Sequence, residues 1–418
     1  MVGTQTSSEI NPKKNLSLKT IPEITAATFQ IATKTVGPNQ LQISYKCNNN
    51  KTAVITHTFT SEQEQLNIKT LIPNCNAELS LLADGSVIIN GCDPKLNLQV
   101  KSPATIINTA EFSCNRLQLN AKRLLLQNNI TTTRSCVLSY AHKLENYGKL
   151  TVGTILNCRG EMGAILRNFD TMVAKDDACF NDKLGEDIVG IINYGLIYSD
   201  RYLKINARKL YNYNSILSSH EIISFGKQLF NAGTIFSEKL VGLDYRGSLI
   251  NKHNGIIASN GDVRLFRNNY KSNADVEQLD SSTLINQGKV KALNTLMVSN
   301  DLGIITNKTT GTLEGSQIKV GGGQFINDGK VTGSQQLEVI LSHDNGRWYN
   351  KSNGQVQTKK LLCASARLVN NGVIYTKNEL AGLLTKTLEN QLQGQMLSDA
   401  NMGLIALEQI TNDCLIKA

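Results

Sequence analysis

The sequence is poor in proline, in aromatic residues and in charge. Its 418 residues include 6 prolines, and 18% are Asp, Glu, Lys or Arg. Disordered chains are usually richer in proline and charge and poorer in branched aliphatics, so the composition indicates a folded protein. Aromatic residues make up only 6%. The core must therefore consist mainly of Leu, Ile and Val, as in stacked β-sheets.

Long hydrophobic runs are also missing. No run of about eighteen apolar residues occurs, so the sequence predicts no membrane-spanning helix. The N-terminal stretch MVGTQTSSEINPKK has no apolar core of signal-peptide length. The net charge of +9 is spread along the chain rather than gathered in one stripe, which argues against nucleic acid as the partner.

Recognisable catalytic motifs are absent. The sequence contains no G-x-S-x-G, no Walker P-loop and no H-E-x-x-H, and its five histidines are dispersed. No CxxC pair occurs either. We therefore predict no catalytic residue, no metal and no cofactor.

What the sequence does contain is a repeat. Two apolar residues, an asparagine, a glycine a few residues later and then an aliphatic residue recur, as in LENYGKL (144–150), LINQGKV (284–290) and LVNNGVI (368–374). Its asparagines lie 18 to 23 residues apart, except for two longer intervals of 25 and 35. They are Asn108, Asn128, Asn146, Asn168, Asn193, Asn212, Asn231, Asn251, Asn286, Asn307, Asn327, Asn350 and Asn370.

An alternating apolar run, such as LKINARKL at 203–210, precedes each asparagine. Alternation with period 2 is typical of a strand with one buried face, and Asn and Gly supply the bend that follows. One such unit cannot bury its apolar face alone, so it must stack on its neighbours. We predict an all-β fold, a parallel β-helix of about 13–14 coils and a length of about 65 Å.

A second ladder consists of cysteines separated by 21 or 22 residues. We interpret it as a column of small buried side chains, with axial disulfides as the alternative. Its members are Cys92, Cys114, Cys136, Cys158 and Cys179.

The two ends of the chain differ from the repeat. Residues 1–20 are predicted to be flexible, 21–86 to form an N-terminal β cap with irregular coils, and 87–376 to form the β-helix. In residues 377–418, Leu380, Leu384, Leu388, Leu392 and Met396 recur at every fourth position. This spacing is typical of an amphipathic helix, so we predict a C-terminal α-helical cap.

Two long intervals interrupt the period, and loops inserted into a rigid scaffold often carry binding. The first holds carboxylates that could bind Ca²⁺ or act on a polysaccharide; the alternative is a solvated acidic loop. The second holds arginine and aromatic residues of the kind enriched at interfaces; the alternative is an ordinary exposed loop. The candidates are Asp176, Asp177, Asp182, Glu186 and Asp187 in the first and Arg264, Phe266, Arg267 and Tyr270 in the second.

Tyr194 and Tyr213 stand beside turns one coil apart. A column of exposed rings could stack on sugars, although rings that only stabilise the turn are the simpler interpretation.

The segments LKINARKLYNYNSI (203–216) and LLCASARLVNNGVI (361–374) resemble the repeats of filamentous haemagglutinin-type bacterial adhesins. This resemblance covers roughly residues 100–375. It implies a right-handed parallel β-helix, a bacterial origin and a structural or adhesive role at a cell surface or in a host. The Asn-Pro-Asn motifs of that family's secretion domain are not matched here.

Three functional hypotheses follow. The first is a non-enzymatic, secreted or surface-exposed interaction protein whose partner is a host or cell-surface protein or glycan. The second is an effector delivered to a host by a secretion system. The third is a polysaccharide lyase or hydrolase, suggested by fold analogy alone.

Overall fold

The computed structural model describes residues 27–48, 52–73, 75–161, 163–182, 188–266, 283–341, 345–377 and 381–418. Strand accounts for 71% of the chain and helix for 1%, and parallel strand pairing forms a β-solenoid of about 15 turns. The predicted all-β class and parallel β-helix are therefore confirmed. In the described part of the chain, no helix is long and apolar enough to cross a membrane.

Antiparallel strands cover the N-terminal end of the solenoid. A meander of three strands pairs with the first coil through its first strand, and a second group of three reaches the coils through its last strand. The elements are β1 (Thr28–Gly37), β2 (Gln40–Cys47), β3 (Ala53–Thr58), β4 (Leu66–Asn67), α1 (Ile68–Leu71), β5 (Ala77–Leu81) and β6 (Val87–Cys92).

The remaining strands form the coils, and consecutive coils pair in parallel. The first half of the solenoid contains β7 (Asn97–Lys101), β8 (Thr105–Asn108), β9 (Phe112–Cys114), β10 (Arg116–Leu126), β11 (Ile130–Thr132), β12 (Cys136–Asn146), β13 (Lys149–Val152), β14 (Leu156–Gly160), β15 (Ile165–Asn168), β16 (Thr171–Ala174), β17 (Ala178–Asp182), β18 (Ile188–Asn193), β19 (Leu196–Ser199), β20 (Tyr202–Asn212), β21 (Ser215–Ser218), β22 (Glu221–Asn231) and β23 (Thr234–Ser237).

The second half contains β24 (Leu240–Asn251), β25 (Ile256–Ser259), β26 (Asp262–Phe266), β27 (Thr283–Asn286), β28 (Lys289–Ala292), β29 (Thr295–Asn307), β30 (Thr312–Asn327), β31 (Lys330–Leu341), β32 (Arg347–Asn350), β33 (Gln355–Asn370), β34 (Val373–Thr376), β35 (Ala381–Asn390), β36 (Gln395–Ser398), β37 (Met402–Asn412) and β38 (Leu415–Lys417).

Each coil has three faces, which stack into three sheets. In one coil, residues 202–206 of β20 lie in the first sheet, residues 209–212 in the second, and β21 in the third. We call the bend between the first and second sheets the first corner, and the bend between the second and third sheets the second corner. Alternate residues of every face point inward, as in Leu203, Ile205 and Leu210, which are all buried.

A ladder of buried asparagines lines the inside of the second corner. In each of its steps, the side-chain Nδ2 of one asparagine donates to Oδ1 of the asparagine one coil later, over 2.7 to 2.9 Å. Nδ2 also donates to backbone carbonyls at the bend; that of Asn193 reaches the carbonyls of Gly195 and Ser215. The buried Nδ2 groups thus find the acceptors that burial requires. The ladder comprises the buried Asn146, Asn168, Asn193, Asn212, Asn231, Asn251, Asn286, Asn307, Asn327, Asn350, Asn370 and Asn390 and ends at the exposed Asn412.

The first two asparagines of the predicted ladder do not belong to this bonded series. Leu126 occupies the ladder position in the second coil, paired in register with Asn108 on one side and Asn146 on the other. Asn128 lies two residues further on, where its backbone carbonyl accepts a hydrogen bond from Asn108 Nδ2 at 2.9 Å. As a result, Asn146 begins the series, and its buried Oδ1 has no hydrogen-bond partner among the described residues.

The prediction of a C-terminal α-helical cap is wrong. Residues from Ala381 onward form β35 to β38, which add two more coils, and Asn390 and Asn412 extend the asparagine ladder. Leu388 and Met396 are buried in the solenoid core, whereas Leu384 and Leu392 are exposed. The four-residue spacing therefore mixed core and surface positions of two strands and of the turn between them. Leu380 lies outside the described residues.

The five cysteines do not form one column. Cys136 pairs with Leu156, whereas Cys158 lies one inward position further along its strand and pairs with Leu138. Cys179 is on the outer face opposite Asn157, and Cys114 belongs to the third sheet. The physical reason is coil length. Residues in register on β12 and β14 are 20 residues apart, as Cys136 and Leu156 are, so a cysteine spacing of 22 falls two residues out of register. The cysteines are free thiols, and Cys92 contacts Cys114.

Two further cysteines, Cys75 and Cys363, are buried, and burial makes their thiols weaker acids. Desolvation raises the pKa of Cys75 to about 11 and that of Cys363 to about 12. Because the thiolate is the nucleophile, we expect iodoacetamide at pH 8 to alkylate both residues on the order of a hundredfold more slowly in the native protein than in urea. Mass spectrometry of the modified peptides measures this, and equal rates in the two states would contradict the buried placement.

The same shifts make stability depend on pH. The folded-state pKa values lie above those of the unfolded chain, so the native state holds these protons longer. The contribution of these two buried thiols to the free energy of unfolding is therefore fully present below the thiol pKa of the unfolded chain, about 8.5. It is lost as the pH rises through the pKa values of the folded protein. We expect the urea midpoint to fall between pH 8 and pH 10. Substituting Cys75 and Cys363 by alanine should reduce that fall. An unchanged pH dependence of the urea midpoint would show that the two thiols do not cause it.

Candidate functional site

An exposed aromatic ladder runs along the outside of the second corner. Tyr147, Phe169, Tyr194 and Tyr213 directly follow the ladder asparagines Asn146, Asn168, Asn193 and Asn212 in four consecutive coils. Because each asparagine points inward at the bend, the next residue points outward, and the four rings have 37–46% of their surface exposed. The backbone therefore places an aromatic side chain on the surface at each of these four levels.

The rings of the aromatic ladder stack on one another. Ring centroids lie 4.6 Å apart for Tyr147 and Phe169, 5.4 Å for Phe169 and Tyr194, and 5.0 Å for Tyr194 and Tyr213, with interplanar angles of 6 to 9°. These distances are close to the spacing of adjacent strands, about 4.8 Å. Such contacts contribute about 0.5–1.5 kcal/mol per pair beyond the area that they bury.

Phe230 closes the series on the next coil. Its ring is tilted by 48° to that of Tyr213 at 5.6 Å, and the Lys252 ammonium lies 5.4 Å from the Phe230 centroid. At the opposite end, the Tyr147 hydroxyl donates to Glu145 at 3.4 Å, and Lys143 pairs with the same carboxylate at 2.8 Å. Charged groups therefore border both ends of the aromatic ladder.

Stacking determines what the aromatic ladder offers to a partner. Since each inner ring has a neighbour on both sides, its faces are covered and only its edge and the tyrosine hydroxyls point outward. Partial burial, and to a lesser extent the neighbouring Tyr194 and Tyr211, raise the pKa of Tyr213 above its ordinary value. A sugar or a nucleobase stacks on the face of a ring. The ladder instead presents an apolar edge with hydroxyl groups, a combination enriched in protein interfaces.

The described carboxylates of the first insertion are engaged in the next coil. Asp176 forms an ion pair with Arg201 at 2.8 Å, and Asp177 Oδ1 accepts a hydrogen bond from the backbone N–H of Tyr202 at 3.3 Å. Within the described residues, no group of three metal-ligating side chains occurs. The side chain of Asp182 and all of Glu186 and Asp187 lie outside the described residues.

The described candidates of the second insertion lie on another face. Arg264 and Phe266 belong to β26 in the first sheet, and Arg264 contacts Asp262 on the same strand at 3.3 Å. Phe266 lines a small cavity with Tyr245 and Leu249. Arg267 and Tyr270 are outside the described residues. The structure therefore brings Tyr194 and Tyr213 together and leaves Arg264 and Phe266 apart from them.

Two members of the aromatic ladder, and Phe230 beside its end, were missed in the sequence. Tyr147 and Phe169 carry the signal that would have identified them, because each directly follows a repeat asparagine just as Tyr194 and Tyr213 do. Phe230 precedes its asparagine and contacts Tyr213 across the bend. This contact follows from the stacking of coils, and the linear pattern of the repeat does not reveal it.

The fold and this surface define a β-helix repeat protein with an exposed aromatic ladder at one corner. Comparison with protein-family models, with curated proteins and with solved structures finds no significant match.

Proposed function

We propose that the chain is a non-enzymatic interaction module of a bacterial surface or secreted protein of the filamentous haemagglutinin type, and that the aromatic ladder binds a partner protein. The observation that carries this proposal is the exposure of four stacked rings on consecutive coils. Exposed tyrosines on a rigid backbone lose little conformational entropy on binding, which makes them effective interface anchors.

The β-helix suits this role mechanically. Its neighbouring coils are linked by continuous strand pairing and by the asparagine ladder, so the rings are held at fixed separations. A preorganised surface loses less conformational entropy when a partner docks. We further propose secretion or surface display, with the partner on a host or other cell.

Adhesion of protein-coated beads to cultured epithelial cells tests the proposal. We expect Tyr194→Ser combined with Tyr213→Ser to weaken adhesion about tenfold or more, because buried tyrosine anchors often contribute over 1–2 kcal/mol each. Tyr202→Ser is the matched control, since Tyr202 is 42% exposed but lies in the first sheet.

Protease treatment of the cells should abolish adhesion, whereas removal of surface glycans should not. Wild-type beads that fail to adhere, or double-variant beads that adhere equally well, would overturn the proposal. Release of products from a polysaccharide panel would favour the carbohydrate-active alternative instead.

A further inference from the structure

A ridge of exposed cations follows the first corner across three consecutive coils. Arg208, Lys227 and Arg246 occupy this corner in β20, β22 and β24, and Lys209 stands beside Arg208. All four are exposed, and none has an ion-pair partner among the residues that the structure describes. We call these four residues the basic ridge.

Stacking of coils does not by itself favour the basic ridge. Like charges at neighbouring positions of adjacent strands repel one another, and here the strands lie about 4.8 Å apart. At another corner opposite charges pair between coils, since Arg201 forms an ion pair with Asp176 on the preceding coil. An acidic partner would relieve the repulsion.

Both breaks in the repeat period leave the solenoid at this same corner. β17 ends at Asp182 and β18 begins at Ile188, on the coil before the basic ridge. β26 ends at Phe266 and β27 begins at Thr283, on the coil after it. Insertions in repeat proteins often emerge on the face that binds a partner. The ridge thus lies between the two points of insertion.

An apolar stripe separates the basic ridge from the aromatic ladder. Ile192, Tyr211, Phe230 and Ile250 stand in register on the outer face of the second sheet and are each partly exposed. From corner to corner, this face therefore presents cations, apolar side chains and then the edges of Tyr194 and Tyr213.

The spacing of the apolar stripe favours one backbone conformation for a partner segment that lies along the solenoid axis. The stripe repeats at about 4.8 Å, and one turn of an α-helix advances about 5.4 Å, so side chains at every third or fourth position stay close to register over three turns. In an extended segment, side chains on one face repeat at about 6.6–6.8 Å and lose register sooner.

We infer that the outer face of the second sheet, between the basic ridge and Tyr194 and Tyr213, binds an amphipathic α-helix of a partner protein, with acidic residues along one flank of that helix. This inference rests on the proposed interaction function and specifies its partner. Apolar residues of the helix lie on Tyr211 and Phe230, and its carboxylates face Arg208, Lys227 and Arg246. Helix-in-groove recognition uses the same spacing of apolar anchors.

A labelled synthetic peptide of about five helical turns, with leucine along one face and glutamate on one flank, is the probe for fluorescence anisotropy. We expect it to bind, and to bind more weakly as salt is added. Arg208→Glu combined with Lys227→Glu should weaken binding roughly tenfold or more. Lys291→Glu combined with Lys330→Glu makes the same change in charge on exposed lysines of the third sheet and should leave binding unchanged.

Three outcomes would overturn the inference. One is equal binding of a peptide broken by a central proline, and another is equal binding by the two charge-reversal variants. The third is binding of dextran sulfate through Arg208 and Lys227 without binding of the peptide, which would point to an anionic glycan. If bead adhesion depends on Tyr194 and Tyr213 but not on Arg208 and Lys227, the interaction function stands and the helical partner is excluded.

Discussion

Asn231→Leu is expected to destabilise the protein by about 1–3 kcal/mol more than Asn146→Leu, although both residues are buried members of the same asparagine ladder. Asn231 accepts from Asn212 Nδ2 at 2.8 Å and donates to Asn251 Oδ1 at 2.8 Å. Replacement by leucine leaves the Asn251 oxygen buried without its donor. Asn212 Nδ2 keeps two other acceptors, the carbonyls of Asn214 and Thr234.

Asn146 differs because it begins the ladder. Its own Oδ1 is already buried with no partner in the described part of the chain, and its Nδ2 donates to Asn168 Oδ1 at 2.8 Å. Asn146→Leu removes one unpaired oxygen and creates another at Asn168, so the number of unpaired buried oxygens stays the same. Leu126 already occupies the same position one coil earlier, which shows that the corner accommodates leucine.

Urea denaturation followed by circular dichroism measures the difference between the two asparagine variants. Long repeat arrays can unfold in parts, so amide hydrogen exchange at the β22 coil should accompany it. Equal losses of stability in Asn231→Leu and Asn146→Leu would show that the ladder bonds contribute little beyond packing.

Gly195→Ala is expected to produce the largest loss of stability from a single methyl group. A Cβ at this position would lie 1.7 Å from the backbone carbonyl oxygen of Asp170 on the preceding coil. The same oxygen accepts the hydrogen bond of the Leu196 N–H at 2.7 Å. Relief of the clash must separate the two coils and break that bond, at a cost of about 3 kcal/mol or more.

Gly382→Ala is the matched control. Its Cβ would first meet the Leu362 Cδ2 at 3.4 Å, which is an ordinary van der Waals contact with a flexible side chain. We expect this control to change the free energy of unfolding by no more than about 0.5 kcal/mol. Thermal unfolding of the two variants side by side measures the effect. A Gly195→Ala protein as stable as the control would mean that the second corner is looser than the structure shows.

Gly195→Ala also tests the candidate site, because Gly195 follows Tyr194 at the second corner. Separation of the coils there would disturb the 5.4 Å stacking between Phe169 and Tyr194. We expect weaker bead adhesion from this variant even at temperatures where it remains folded. Gly382→Ala lies far along the solenoid and should adhere like the wild type.

The sequence by itself determined the solenoid, because the repeated asparagine and the alternating apolar runs specify a strand and a bend that must stack to bury their inner faces. It also placed Tyr194 and Tyr213 beside turns one coil apart, and both are exposed because a residue that follows a bend asparagine points outward. The same rule would have found Tyr147 and Phe169, and the asparagine pattern would have found the two coils mistaken for a helix at residues 377–418.

Only the tertiary structure decided which residues share a column. Coils differ in length, so equal spacing in the sequence does not mean equal position in the register. Cys136 and Cys158 are therefore offset, and Leu126 rather than Asn128 stands between Asn108 and Asn146. The stacking that covers the ring faces and the alignment of Arg208, Lys227 and Arg246 arise from contacts between coils. Such contacts depend on three-dimensional register, which local sequence patterns do not encode.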